Sequence, residues 1–265
     1  MYDLLTISFM NFFFGFNNKD FFSKLVISKF ENSGKKYSNI LLFSAEVINS
    51  EWKISEVNVK EDDDFFKIEE NQIDSHKIYF IARKADIKKF ESSDFSELMN
   101  FNNLTDTSPE YRANFKIFNK ANGFSSYQSD YPYKMTKING SILSSTFMLT
   151  DSTADRNYVL IRNIYYKPII KLFPLYIVNI KTRKIIHKEE IKTNYTNIVD
   201  LKKEYINKEN YLFTRNYVGI PIFLSVKNNH LSLEHTLPAS SYILSKDRFK
   251  KSNEIKKRIN EIISQ

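Results

Sequence analysis

Short runs of alternating apolar and polar residues, separated by turn-forming residues, recur along most of this chain. Several such runs lie within residues 22–84, and two of them flank Asn32-Ser33-Gly34. Alternation with a period of two places every second side chain on one face of a β-strand, and many short strands bounded by turns are typical of β-sandwiches. The pattern resumes near residue 112 and continues to residue 235, with Asn228-Asn229 as a predicted tight turn. The chain is therefore expected to be all-β and mainly antiparallel.

Residues 85–111 interrupt the strand pattern and predict a boundary between two domains. The segment is rich in Ser, Asn and Asp, and the spacing of Ser93 and Glu97 is that of a helix N-terminus. Asp and Glu outnumber Lys and Arg before this boundary, whereas Lys and Arg predominate after it and give a net charge of +8 for the whole chain. We therefore predict an acidic β-sandwich-like domain with a short linker helix at residues 1–106 and a basic one at residues 107–265. A single continuous β domain is the alternative.

The last segment, residues 245–264, predicts a long helix. Apolar residues recur at roughly helical spacing along it and form one stripe beside many Lys and Arg residues. The stripe consists of Phe249, Ile255, Ile259, Ile262 and Ile263. We expect the helix to pack on the second domain through this stripe and to expose its basic face.

Composition and the missing motifs exclude several classes of function. The chain has no Cys, so disulfides, thiolate metal sites and cysteine nucleophiles are excluded. It has only 5 Gly residues and neither a phosphate-binding loop nor a dinucleotide fingerprint, and we predict no cofactor and no metal site. The apolar start at residues 1–16 has Asp3 where a signal peptide has basic residues, so we expect a first core strand or helix there. No apolar run approaches the ~20 residues that span a bilayer, which predicts a soluble, cytoplasmic protein.

The segment HLSLEHT, residues 230–236, combines two His residues with a Glu. In a strand, His230 and Glu234 share one face and lie about 13 Å apart, which is too far for a single metal ion, while His235 is on the opposite face. The segment can therefore donate at most one acid or base. Together with Asp130, these three residues are the catalytic candidates, and His187 is a candidate spatial partner.

The segment FSSYQSDYPYKM, residues 124–135, concentrates hydroxyl, amide and carboxylate groups beside aromatic rings. Sugar-binding sites need this mixture, because rings cover the apolar C–H surfaces of a sugar and polar groups bond its hydroxyls. The predicted ligand-binding residues are Tyr127, Gln128, Asp130, Tyr131 and Tyr133. The alternative is a turn-rich loop whose tyrosines anchor it to the core.

Clustered charges suggest partners but no motif identifies one. The run Glu61-Asp62-Asp63-Asp64 lacks the alternating ligands and the glycine of a calcium loop, so we expect a solvated loop. Basic residues between Arg156 and Lys192, with the final helix, predict a positive surface that could bind a polyanion, although no specific nucleic-acid motif accompanies it. An A/T-rich genome would produce the same excess of Lys and aromatic residues without selection for binding.

Three functional hypotheses follow from the sequence. The first is a non-enzymatic binding or accessory module for a carbohydrate or another polar or anionic ligand. The second is an enzyme that acts on a glycan or small polar substrate by acid–base chemistry. The third is a structural or assembly protein, for which self-association is expected through an exposed sheet edge or the aromatic N-terminus.

Overall fold

A computed structural model describes residues 11–30, 34–83, 113–120, 123–137, 139–235 and 248–265. Within these residues the chain consists mainly of antiparallel strands, with one long helix close to the C-terminus. The predicted all-β, mainly antiparallel fold class is therefore confirmed. The linker helix expected near Ser93 and the domain boundary expected at residues 106 and 107 lie outside the described residues.

The chain divides into two compact units, each made of more than one stretch of sequence. The first unit comprises Met1–Phe118, Ser126–Lys137 and Ile164–Ile170. The second unit comprises Asn119–Ser125, Ile138–Asn163 and Lys171–Gln265. The prediction of an acidic and a basic domain separated at residues 106 and 107 remains a prediction.

The first unit contains most of a five-stranded sheet, together with a three-stranded antiparallel sheet. The larger sheet has the order β5-β6-β2-β8-β9 and the smaller one the order β4-β3-β7, while β1 pairs with β10. The strands are β1 (Asn11–Phe12), β2 (Phe21–Ser28), β3 (Ile40–Ile48), β4 (Glu51–Glu56), β5 (Lys60–Glu61), β6 (Phe65–Ile68), β7 (Ile78–Arg83), β8 (Asn114–Asn119), β9 (Phe124–Gln128) and β10 (Tyr131–Pro132).

Phenylalanine side chains form much of the first unit's core. Phe12 packs edge-on against Phe80 of β7, with ring centroids 5.9 Å apart, and Phe14 lies 5.9 Å from Phe115 of β8. All four rings are almost completely buried. Since Phe12 contacts the three-stranded sheet and Phe14 the five-stranded sheet, the segment at residues 11–16 joins the two sheets. The expectation of a first core element is confirmed for these residues.

The second unit contains two four-stranded antiparallel sheets. One has the order β11-β16-β13-β14 and the other the order β15-β12-β17-β18. The strands are β11 (Leu143–Ser145), β12 (Arg156–Asn163), β13 (Leu172–Asn179), β14 (Lys184–Lys192), β15 (Tyr195–Asp200), β16 (Asn210–Thr214), β17 (Ile220–Lys227) and β18 (His230–His235). Asn228 and Asn229 both have positive φ angles and form the predicted tight turn between β17 and β18.

An aliphatic cluster joins these two sheets into a β-sandwich. It includes Leu175 and Ile177 from β13 and Val159 and Ile161 from β12, and each of these side chains is fully buried. Leu175 and Ile177 point to one face because alternate residues of a strand share a side. The opposite face of the same sheet presents Val178 and its neighbours, so this sheet carries two separate apolar surfaces.

The helix α1 (Arg248–Ile263) covers part of that second apolar surface. Ile259 and Ile262 are buried against Tyr176, Val178 and Phe213, and Ile255 and Ile263 pack beside them. Arg215 also holds the helix, because its guanidinium donates to the Asn260 side-chain and main-chain oxygens at 2.7 and 3.0 Å. The predicted helix and its apolar stripe are confirmed for residues 248–263, whereas the side chain of Phe249 lies outside the description.

Candidate functional site

The segment HLSLEHT forms β18, an edge strand of its sheet, as far as His235. His230, Ser232 and Glu234 are exposed on one face, while Leu233 is buried on the other. This division between faces is the one expected from the alternation, and the His235 side chain lies outside the description. The strand therefore cannot form a metal site by itself, and the acid–base roles of His230, Glu234 and His235 remain predictions.

His187 lies on β14, at an edge of the other sheet, and has its own partners. Its Nε2 is 3.4 Å from the Glu189 carboxylate, its Nδ1 is 3.3 Å from the Tyr205 hydroxyl, and its ring stacks on Tyr205. A tight turn connects β14 to β15, the first edge strand of the sheet that contains β18. β18 is the opposite edge strand of that sheet, three strand positions away from β15. Three strand spacings amount to about 14 Å, so the fold does not bring His187 together with the 230–235 strand.

The predicted sugar-binding residues differ in their exposure. Tyr127, Gln128 and Asp130 are half-buried, and the Asp130 carboxylate accepts a hydrogen bond from the Ala113 amide at 3.4 Å. Tyr131 is fully buried, and its hydroxyl donates to the Ile164 carbonyl at 3.2 Å. Tyr131 therefore anchors the loop to the core of the first unit. For this tyrosine, the structure agrees with the alternative interpretation of a turn-rich loop anchored by its tyrosines. The side chain of Tyr133 lies outside the description, and carbohydrate binding by this segment remains a prediction.

The acidic run beside β5 and β6 forms a solvated turn in the first unit. The Asp62 carboxylate accepts hydrogen bonds from the amides of Asp64 and Phe65 at 3.0 and 2.6 Å. A hydrogen bond from the Lys67 ammonium, assisted by these amides, lowers the pKa of the Asp62 carboxyl. Across the described ranges, no group of three or more His, Asp or Glu residues has an arrangement that could hold a metal ion.

Several basic side chains of the second unit lie on the exposed surface of β14. Lys188 is placed over the Tyr176 ring at 5.9 Å and Lys192 over the Tyr195 ring at 5.3 Å. Such contacts keep the long side chains close to the sheet and leave the ammonium groups in water. Polyanion binding by this surface remains a prediction.

A pocket of about 370 Å³ lies within the second unit, where α1 meets the β11 margin of the outer sheet face. Its wall is largely apolar and comes from four parts of the chain: β11, the turn that follows it, the start of β16 with the residues just before it, and the helix. The apolar lining residues are Leu143, Phe147, Met148, Leu149 and Ile255. The volume is at the lower end of the range of ligand pockets, about 300–1,000 Å³.

Hydrogen bonds hold the base of the turn at residues 146–149, and the tip of the turn is exposed. The Thr146 hydroxyl donates to the Tyr205 carbonyl at 2.8 Å, and the Ser145 hydroxyl accepts from the amides of Phe147 and Met148. These bonds hold the base of the turn, whereas Met148 is 71 % exposed at the mouth of the pocket. Methionine is flexible and polarizable, so this position can adapt to the shape of a ligand.

The pocket has few polar groups, and all of them can donate hydrogen bonds. Lys208 contributes an ammonium that lies 5.5 Å from the centre of the Phe147 ring. The hydroxyl-bearing residues of the lining are Ser144, Ser145, Tyr211 and Ser252. Burial, with a smaller effect of the Glu209 charge, raises the pKa of the Tyr211 phenol. Tyr211 is therefore a hydrogen-bond donor throughout the neutral range.

No pattern in the sequence predicted this pocket. Two signals were available: the apolar pair Phe147-Met148 comes soon after a strand, and Ile255 belongs to the apolar stripe of the helix. Neither signal shows that the two segments meet, because more than 100 residues separate them along the chain.

Comparisons with known proteins identify no relative. No family model matches this chain, and no curated protein and no solved structure is significantly similar to it. In the part of the chain that the structure describes, no helix is long and apolar enough to cross a membrane. The function is therefore inferred from the geometry of the chain itself.

Proposed function

We propose that this protein is a non-enzymatic binding module and that its ligand site is the pocket between α1 and the β11 margin of the sheet. The observation that carries the proposal is an apolar pocket of about 370 Å³ with a few convergent polar groups at its wall. Ligand sites in proteins commonly have this composition, since apolar surface supplies affinity and the polar groups fix orientation.

The pocket favours a ligand with an apolar body and a polar or anionic end. Five apolar side chains line it, and Lys208 is exposed at its rim. Burying each methylene of a ligand in such a wall contributes about 0.8 kcal/mol. A carbohydrate would leave most of its hydroxyls unpaired against the same wall, so this site suits an amphipathic molecule better than a sugar.

Filling the pocket tests the proposal directly. Ser252 lines the pocket from α1 and is buried, so Ser252→Phe places an aromatic ring in the ligand volume. Asn253 is adjacent on the same helix but exposed, and Asn253→Phe is the matched control. The probe is 8-anilinonaphthalene-1-sulfonate, whose fluorescence rises in apolar sites. Its naphthalene ring is small enough to enter the pocket, and the rest of the molecule extends through the mouth beside the exposed Met148. We expect Ser252→Phe to weaken binding of this probe by about tenfold or more, a loss of about 1.4 kcal/mol.

A second variant protects the test against misfolding. Met148 is exposed at the pocket mouth, so Met148→Ala should leave the circular dichroism spectrum and the thermal midpoint unchanged while weakening probe binding about two- to threefold. Probe binding that is the same in the original chain, in Ser252→Phe and in Met148→Ala would contradict the proposed site.

A further inference from the structure

The pocket volume limits the size of the ligand. An engineered apolar cavity of about 150 Å³ holds one benzene molecule, which corresponds to about 25 Å³ for each carbon atom. On this scale the 370 Å³ of the pocket accommodate about 15 non-hydrogen atoms. A two-chain lipid is far too large, whereas a single chain of about ten to twelve carbons with a small head group fits.

The charged side chain in the pocket lining is basic. Lys208 is the one Lys, Arg, Asp or Glu among the described lining residues, and no carboxylate within the described ranges forms an ion pair with it. Glu209 does not line the pocket, although its charge acts on Tyr211 and contributes to the raised pKa of that phenol. An anionic head group at the rim would therefore gain an ion pair without displacing an existing one, whereas a cationic head group would be repelled.

Two hydroxyl groups and the Lys208 ammonium line the same pocket. Ser145 and Tyr211 are direct neighbours across β11 and β16, and residues paired in this way project to the same face of the sheet. The Tyr211 side chain is half-buried, and its hydroxyl has no hydrogen-bond partner among the described residues. Lys208 is three residues before Tyr211 in the segment that leads into β16. Since both residues line the same pocket, a phenol and an ammonium are among the donors that its wall offers to an anion.

From these three observations we infer that the ligand is a straight-chain carboxylate of about ten to twelve carbons, with its chain among Leu143, Phe147, Leu149 and Ile255 and its carboxylate beside Lys208 and Tyr211. This inference rests on the proposed function, because it assigns a ligand class to the same pocket. Lys208 is exposed, so the head group stays close to water while the chain is buried.

The test compares ligands that share a chain and differ in the head group. Decanoate, decanol, decyl phosphate and decyltrimethylammonium are titrated calorimetrically, below their aggregation concentrations, into the full chain and into two variants. Lys208→Met removes the rim charge but keeps an unbranched side chain. Lys203→Met is the matched control, because Lys203 is exposed in the same connection between β15 and β16 but does not line the pocket.

We expect decanoate to bind about fivefold more tightly than decanol, which is the upper range for a partly exposed ion pair, and decyltrimethylammonium to bind most weakly. Lys208→Met should remove the preference for decanoate over decanol, and Lys203→Met should retain it. Equal affinities of decanoate and decanol for the original chain would overturn the inference, and tighter binding of decyl phosphate than of decanoate would replace the carboxylate by a phosphate head group.

The two proposals fail in different ways. If decanol and decanoate bind equally and both compete with the fluorescent probe, the binding module stands and the carboxylate inference is wrong. If none of the four compounds binds, or if Ser252→Phe leaves their binding unchanged, the proposed site is wrong.

Discussion

The two faces of the sheet β11-β16-β13-β14 are covered in different ways. On the inner face, Leu175, Ile177 and Leu212 are fully buried against a second sheet of equal strand number. On the outer face, one helix covers Val178 and Phe213 but leaves a pocket at one margin and an Ile185 side chain 42 % exposed at the other. The same strands thus take part in a closed core on one side and in an open site on the other.

The difference has a simple geometric cause. Four strands at a spacing of about 4.8 Å span roughly 14 Å between their axes, whereas an α-helix with its side chains is about 10 Å wide. A second four-stranded sheet covers the whole face, but a single helix covers about two strands. Apolar surface remains at the margins, and the turn at residues 146–149 converts one of these margins into a pocket. The ligand site is therefore expected at the margin where the helix is too narrow to cover the sheet face.

The largest effect on stability is expected when a buried side chain of the inner face is truncated. Leu175 is fully buried between the two sheets, so Leu175→Ala should lower the free energy of unfolding by about 2–5 kcal/mol, the range for a buried leucine whose site cannot collapse. Urea unfolding followed by far-UV circular dichroism measures the change. A loss well below this range would show that the inner face is packed no better than the outer one.

A smaller effect is expected for the helix layer. Ile259 is also fully buried, but it belongs to a helix that can shift toward the sheet, so Ile259→Ala should cost about 2 kcal/mol. Binding of the fluorescent probe should weaken as well, because Ile255 on the same helix lines the pocket. If Ile259→Ala costs more than Leu175→Ala, or if probe binding stays unchanged, the contrast between the two faces is contradicted.

The smallest effect concerns the pH dependence of stability at the outer margin. Because burial raises the pKa of Tyr211 in the folded chain, this group keeps its proton at a pH where the unfolded chain has lost it. Its contribution is therefore fully present below the ordinary tyrosine pKa of about 10 and is lost as the pH rises through the higher folded value. Tyr211→Phe should lose less stability between pH 8 and pH 11 than the original chain.

Urea midpoints measured at several pH values test this prediction. The other tyrosines titrate in both proteins, so the difference between the two midpoint curves isolates Tyr211. Identical curves for the variant and the original chain would show that Tyr211 titrates as an exposed phenol and that the pocket wall is as open as the surface.

Local patterns in the sequence predicted much of the fold and little of the candidate site. The alternation around Asn228-Asn229 and the apolar stripe at Ile255, Ile259 and Ile262 identified a hairpin and a helix that the structure contains. Tyr131, by contrast, belongs to a polar aromatic segment, and composition alone could not show that its ring is buried and its hydroxyl bonded to Ile164. Exposure of a single ring depends on which segments pack over it.

The sequence by itself determined the strands, the tight turn and the helix, because each depends on the spacing of residues within a few positions of one another. Only the tertiary structure decided that β14 and β18 lie at different edges, which separates His187 from His230, and that α1 meets the turn at Phe147. These arrangements bring together residues far apart in the chain, and the free energy that selects them comes from burying whole surfaces. No short segment carries that information.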